Sequence, residues 1–136
     1  MNTGLIALVA LVIGTLSASA DTFRAINWLY VNPITETEFE VVLKPGASPR
    51  ATWCAAADYS GKRLGRYNKT DLVVLSAAGP GVTQSRFKGV VFTIDPSRLE
   101  TDPTQSYSVT IYKVGAMLSV GHAKTFCPFY PGPFYN

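Results

Sequence analysis

The chain is poor in the residues that most often carry metal and nucleophilic chemistry. In 136 residues, histidine occurs once, at His122, and cysteine twice, at Cys54 and Cys127. That is too few for the clustered Cys and His spacings of a zinc site. A site built on His122 would need three carboxylates as its other ligands, a set zinc seldom takes. Charged residues are also scarce, at 15%, and the net charge is +3. This is well below the charge density of a dedicated nucleic-acid binder. No glycine-rich phosphate loop is present, because Gly61-x-x-x-Gly65 and Gly79-Pro80-Gly81 lack the strand-to-helix context such a loop needs. No long apolar run follows residue 20. The absences argue for no cofactor, no metal, no nucleic acid and no stable membrane span in the mature chain.

The one sustained apolar run comes first. Residues Gly4 to Gly14 are uncharged and apolar, and the segment then turns small and polar to end Ala18-Ser19-Ala20. This is the pattern of a secretory signal peptide over residues 1–20, with cleavage expected before Asp21. The run is shorter than the roughly 20 apolar residues a spanning helix needs. Positive charge ahead of it comes from the amino terminus alone. The reading implies a periplasmic or secreted protein, with residues 21–127 as a single domain and residues 128–136 as an irregular tail. That tail holds three prolines if Pro128 is counted, and the aromatics Phe129, Tyr130, Phe134 and Tyr135.

Export gives the two cysteines a meaning. In an oxidising compartment an even count points to disulfides, and two cysteines permit one intramolecular pairing, Cys54 with Cys127. Closing a loop of that length stabilises a fold by about 4 kcal/mol on loop-closure entropy.

Periodicity and punctuation then divide the mature chain. Phe23 to Val31 is rich in β-formers and ends at Asn32-Pro33. Glu36 to Leu43 alternates, placing Phe39, Val41 and Leu43 on one side and Glu38 and Glu40 on the other. The glutamates are expected to solvate their face. Ser48 to Gly65 is the one clear helix. Ser48 is a good N-cap, Pro49 suits the first helical position, and the alanines favour helix. Gly61 weakens the helix interior, and Gly65 is the later stop. Asp71 to Ala77, Phe87 to Ile94, Ser106 to Lys113 and Met117 to Ala123 read as further strands, the last two as a hairpin. The fold class expected is α+β: one helix packed on a mainly antiparallel sheet of five or six strands, stapled by one disulfide.

Several of these segments together resemble a group of small exported alphaproteobacterial proteins. The residues are TWCAAADY at 52–59, GPG at 79–81, KGVVFTID at 88–95, SYSV at 106–109 and LSVGHAKTFC at 118–127. The group shares a Trp-Cys pair, a Phe-rich middle strand, a Ser-Tyr-Ser-Val strand and a closing Phe-Cys. The resemblance covers about Phe39 to Cys127. It implies one intact domain with paired cysteines, and it brings no activity and no catalytic residue.

Two functional readings follow. The first is a non-catalytic binding or interaction protein of the periplasm or exterior, whose partner is a protein or another envelope component. Its candidate surface is Lys62, Arg63, Arg66 and Lys69, flanked by Tyr59 and Tyr67, a patch for an anionic partner. The bland reading of the same patch is a solvated helix end, where cations also suit the helix dipole. The alternative function is a small cell-envelope cysteine hydrolase using Cys54 as nucleophile and His122 as base. Against it, a disulfide sulfur is no nucleophile, and Trp53-Cys54-Ala55-Ala56 is not the context such enzymes use. Paired-carboxylate catalysis would have to draw on Asp58, Asp71, Asp95, Asp102 or the three glutamates of Glu36 to Glu40, at spacings that are not diagnostic.

Overall fold

The structure, a computed structural model, describes residues 21–105 and 108–128. Helix α1 spans Pro49–Lys62 and begins where the caps require. The Ser48 side chain accepts the Ala51 N–H at 3.1 Å, which satisfies one of the free amides of the first turn. Gly61 stays inside the helix, and Gly65 beyond it takes a left-handed backbone at φ 64°. A side chain at Gly61 would press on the Tyr67 ring, 3.3 Å from its Cβ. The glycine therefore serves a close contact that offsets its low helix propensity. Residues Thr52 to Gly61 are all buried. A helix this short in large side chains can be enclosed on several sides at once, and here it is.

Among the described residues, seven strands form one sheet. They are β1 (Phe23–Arg24), β2 (Tyr30–Pro33), β3 (Glu38–Leu43), β4 (Asp71–Pro80), β5 (Lys88–Thr93), β6 (Thr104–Gln105) and β7 (Ala116–Ser119), in the spatial order β1-β2-β3-β5-β4-β7-β6. All neighbours run antiparallel except the two-residue β6, which lies parallel to β7. A 3-10 turn at Pro96–Arg98 and a short helix α2 at Val120–Lys124 complete the fold. The expected α+β class, with α1 on a mainly antiparallel sheet, is the one observed.

The core lies between α1 and one sheet face. Phe39 stands 4.5 Å from Tyr59 and 6.0 Å from Phe92 between ring centroids, and Trp53 meets Phe92 edge-on at 5.0 Å. Trp53 is fully buried, and its indole N–H donates to the Val109 carbonyl at 2.9 Å, which leaves no buried donor unpaired. Cys54 is bonded to Cys127 with Cα atoms 4.9 Å apart, so the segment that follows α2 is fastened to the middle of α1.

Four expectations from sequence need correction. Phe23 to Val31 is two strands, because the segment between them turns back through Ala25 N–H to Leu29 O at 2.8 Å and Trp28 N–H to Ala25 O at 2.9 Å. The helix holds that turn: Asp58 Oδ2 accepts the Ile26 N–H at 2.8 Å, and Asn27 Nδ2 donates to Ala51 O at 2.7 Å. The strand after α1 does not stop at Ala77; β4 continues to Pro80, absorbing register shifts at Ser76 and Gly79. Of Ser106 to Lys113, residues 106 and 107 lie outside the described residues, and 108–113 form no strand. Their alternation is spent on irregular anchoring, with Ile111 buried and its carbonyl accepting the Ala78 N–H at 2.8 Å. Finally, Met117 to Ala123 is no hairpin return. Strand β7 ends at Ser119, whose hydroxyl caps α2 by accepting the His122 N–H at 3.1 Å. Val120 and Gly121 give their N–H groups to Thr70 and Asn68 instead of continuing a ladder.

The glutamates are the fifth correction. Sidedness is as expected, since Phe39 and Val41 join the core under α1. The other face is not solvated at Glu38 and Glu40, both of which are buried; Glu36 is exposed. Strand β3 lies between β2 and β5, and its second face is covered by the loop carrying Val82 and Thr83, which bonds Glu40, and by Arg98, which pairs with Glu38.

Candidate functional site

The second sheet face carries a hydrogen-bonded clasp. Glu40 is 1% exposed and accepts from Val82 N–H at 2.6 Å, Thr83 N–H at 3.0 Å and the Thr83 hydroxyl at 2.6 Å. Asn32 Nδ2 donates to the Thr83 hydroxyl at 2.9 Å, and the Thr22 hydroxyl donates to Asn32 Oδ1 at 2.8 Å. A buried carboxylate is costly unless fully bonded, and this one is satisfied by the loop it holds down. Gly89 makes room for it: a Cβ there would lie 2.6 Å from the Glu40 carboxyl carbon. Glu38 is handled differently, through an ion pair with Arg98 at 2.9 Å. The Arg98 turn is capped by Asp95, whose carboxyl is held below its ordinary value by hydrogen bonds from the Ser97 hydroxyl and N–H.

The clasped loop walls an apolar groove of about 340 Å³, at the small end of the range for small-molecule sites. Tyr30, Val42, Leu43, Pro45 and Phe87 line it, with Thr22, Lys44 and Gln84. Phe87 is held by Gly81 N–H donating to its carbonyl at 2.8 Å. No carboxylate is among the lining residues.

Beside the groove lies a surface of cations stacked on aromatic rings. The turn between β1 and β2 leaves Trp28 59% exposed at φ 72°, a backbone region that bulky residues seldom adopt. Arg24 Cζ stands 4.3 Å from the Trp28 ring centroid. Lys44 Nζ donates to the Trp28 carbonyl at 2.8 Å and stands 5.4 Å from the Tyr30 ring. Arg63 lies 5.2 Å from the Phe23 ring. A polar hollow of about 220 Å³ opens between Arg24, Trp28 and Lys62. Asp58, almost buried, pairs with Lys62 at 3.0 Å and caps the Ile26 N–H. Arg24, Lys44, Lys62 and Arg63 are the cations of this surface.

This arrangement divides the basic patch read from sequence. Lys62 and Arg63 join the aromatic surface. Arg66 and Lys69 are exposed beyond the helix, and among the described residues neither forms an ion pair. Tyr67 is exposed over Gly61, whereas Tyr59 is buried in the core. Burial pushes the Tyr59 hydroxyl above its ordinary value, and the Arg63 guanidinium works more weakly in the other direction. Arg24, Trp28 and Lys44 were not singled out from sequence. Their cue was a lone tryptophan in a run otherwise suited to strand, and it acquires meaning only through the contacts of Ile26 and Asn27 with α1.

The hydrolase pair fares otherwise. Cys54 is committed to the disulfide and buried, so the nucleophile that reading needs is gone. His122 is not on a strand but exposed on α2, its ring 5.5 Å from Phe126. Among the described residues, no group of three or more His, Cys, Asp and Glu side chains gathers as a metal site would. Nor is any helix among them long and apolar enough to cross a membrane. No family model, no curated protein and no solved structure matches the chain.

Proposed function

We propose that the protein is an exported, non-catalytic binding protein of the periplasm or exterior, and that it meets an anionic partner through the surface around Trp28. The observation that carries this reading is Trp28 itself. A bulky side chain is held exposed on a left-handed backbone, at a cost of roughly 1–2 kcal/mol. The turn is tied down by Asp58, Asn27 and Lys44. Local strain that the surroundings hold in place is a pointer to function. The neighbours are Arg24, Lys44, Lys62 and Arg63, of which Arg24, Lys44 and Arg63 stand over aromatic rings that hold them in place, and their shared sign favours an anion. The signal-like residues 1–20 and the resemblance to small exported proteins support the compartment.

The test is equilibrium binding of purified protein to soluble polyglutamate, an acidic polymer. Trp28→Ala removes no charge, and Lys62→Ala with Arg63→Ala removes two. Both are expected to weaken binding, by about tenfold, or 1.4 kcal/mol, for Trp28→Ala. Loss on removing charge with no change on Trp28→Ala would reduce the surface to a solvated cationic face and sink the proposal.

A further inference from the structure

We propose that the groove between Tyr30 and Phe87 is a binding site for a free single-chain anionic amphiphile, with the chain in the groove and the anionic head at Lys44. The inference rests on the anionic-partner reading and narrows it to a ligand class. Three observations carry it. The lining is apolar at Val42, Leu43 and Pro45 and aromatic at Tyr30 and Phe87, and it holds one charge, Lys44, with no carboxylate. That pattern complements a ligand that is apolar along its length and negative at one end. Lys44 is positioned by its bond to the Trp28 carbonyl, which leaves two of its three N–H groups for a head group. The groove is also preorganised. Glu40 clasps Val82 and Thr83, and a Cβ at Gly81 would run into the Gln84 and Phe87 carbonyls. The wall is therefore built before any ligand arrives, which lowers the ordering cost of binding.

The chemistry favours a free amphiphile over a bilayer surface. A groove encloses a single chain, whereas a membrane surface is met by an exposed apolar face flanked with cations.

The probe is sodium decanoate below its micelle concentration, titrated calorimetrically into the purified protein. Saturable binding is expected, and decyltrimethylammonium, with the same chain and opposite charge, is expected to bind at least about tenfold more weakly. Lys44→Ala and Phe87→Ala should each weaken decanoate by about tenfold, and Lys44→Arg should restore most of the loss. Both side chains are on the surface side of the groove, and an unchanged denaturation midpoint confirms that the variants are folded. Four results overturn the site: no saturable decanoate binding, equal affinity for the cationic amphiphile, unaltered affinity in both variants, or binding to phosphatidylglycerol vesicles without binding to decanoate. A gain of about tenfold on deleting residues 129–136 assigns the groove to the chain's own tail and equally overturns it. If decanoate fails while polyglutamate binding still depends on Trp28, the groove falls and the anionic-partner reading stands.

Discussion

The two faces of this sheet solve the same problem by opposite means. Under α1, β3 buries Phe39 and Val41 in one apolar cluster with Tyr59, Trp53 and Phe92, and the Trp53 indole finds its acceptor in the Val109 carbonyl. On the other face the same strand buries Glu38 and Glu40, and hydrogen bonds from a loop and an ion pair from a turn do the covering. The first face is held chiefly by apolar area, which is indifferent to exact direction, with one disulfide beside it. The second depends on directed bonds, so it fixes the position of the loop it holds. A fixed loop beside an apolar strand end leaves a shaped groove, which a close-packed helix does not.

The contrast can be broken from the helix side first. Trp53→Ala removes the largest buried side chain and leaves a cavity beside Phe92; a loss of about 3–5 kcal/mol is expected in denaturant unfolding. Cys127→Ala opens the loop closed from Cys54 and is expected to lower stability by some 2–5 kcal/mol. An unchanged midpoint would contradict the staple. Both losses should leave the groove intact in any molecule that remains folded.

On the second face, Glu40→Ala strands the Val82 and Thr83 donors and should cost about 1–3 kcal/mol. It should also speed amide exchange at Val82 and Thr83 well beyond that at Trp53 or Ala57. Gly89→Ala reaches the same clasp from β5, because its Cβ would crowd the Glu40 carboxyl. Uniform acceleration across both faces would show that the clasp is not a separate unit. The smallest effect is expected at Asp95. Its folded pKa lies below the ordinary 3.8, so its carboxylate stabilises the fold above that pH. The contribution disappears as pH falls through the lowered folded value. Asp95→Asn should therefore differ from the parent at neutral pH and converge with it in acid. A constant offset at all pH values would mean that the Ser97 bonds do not sense ionisation.

Much of the helix face was legible in the sequence. Ser48 and Pro49 mark the start of α1, and the cap is made by neighbours in the chain. The pairing of Cys54 with Cys127 follows from their number. The alternation of Phe39 and Val41 with glutamates correctly separated two faces, but periodicity says only that faces differ, not what covers the second. Residues 108–113 and 120–123 were misread as strand, whereas Met117 to Ser119 is strand as expected; Val109 and Ile111 alternate as in a strand, but their carbonyls go to Trp53 and Ala78. Gly115 N–H goes to Val74 O, and Gly121 packs against Asn68.

Composition, capping and covalent chemistry thus determined the α+β class, α1 and the staple, because each acts between near neighbours or through a single bond. The tertiary structure alone decided that Glu40 becomes a clasp, that Trp28 stands exposed beside Arg24 and Lys44, and that a groove opens between Tyr30 and Phe87. Most of the contacts behind them are distant in sequence, 16 positions for Lys44 with Trp28 and 42 for Glu40 with Val82. Local propensity does not encode such contacts; they arise when the sheet order places β3 between β2 and β5 and α1 draws the 25–28 turn down onto itself.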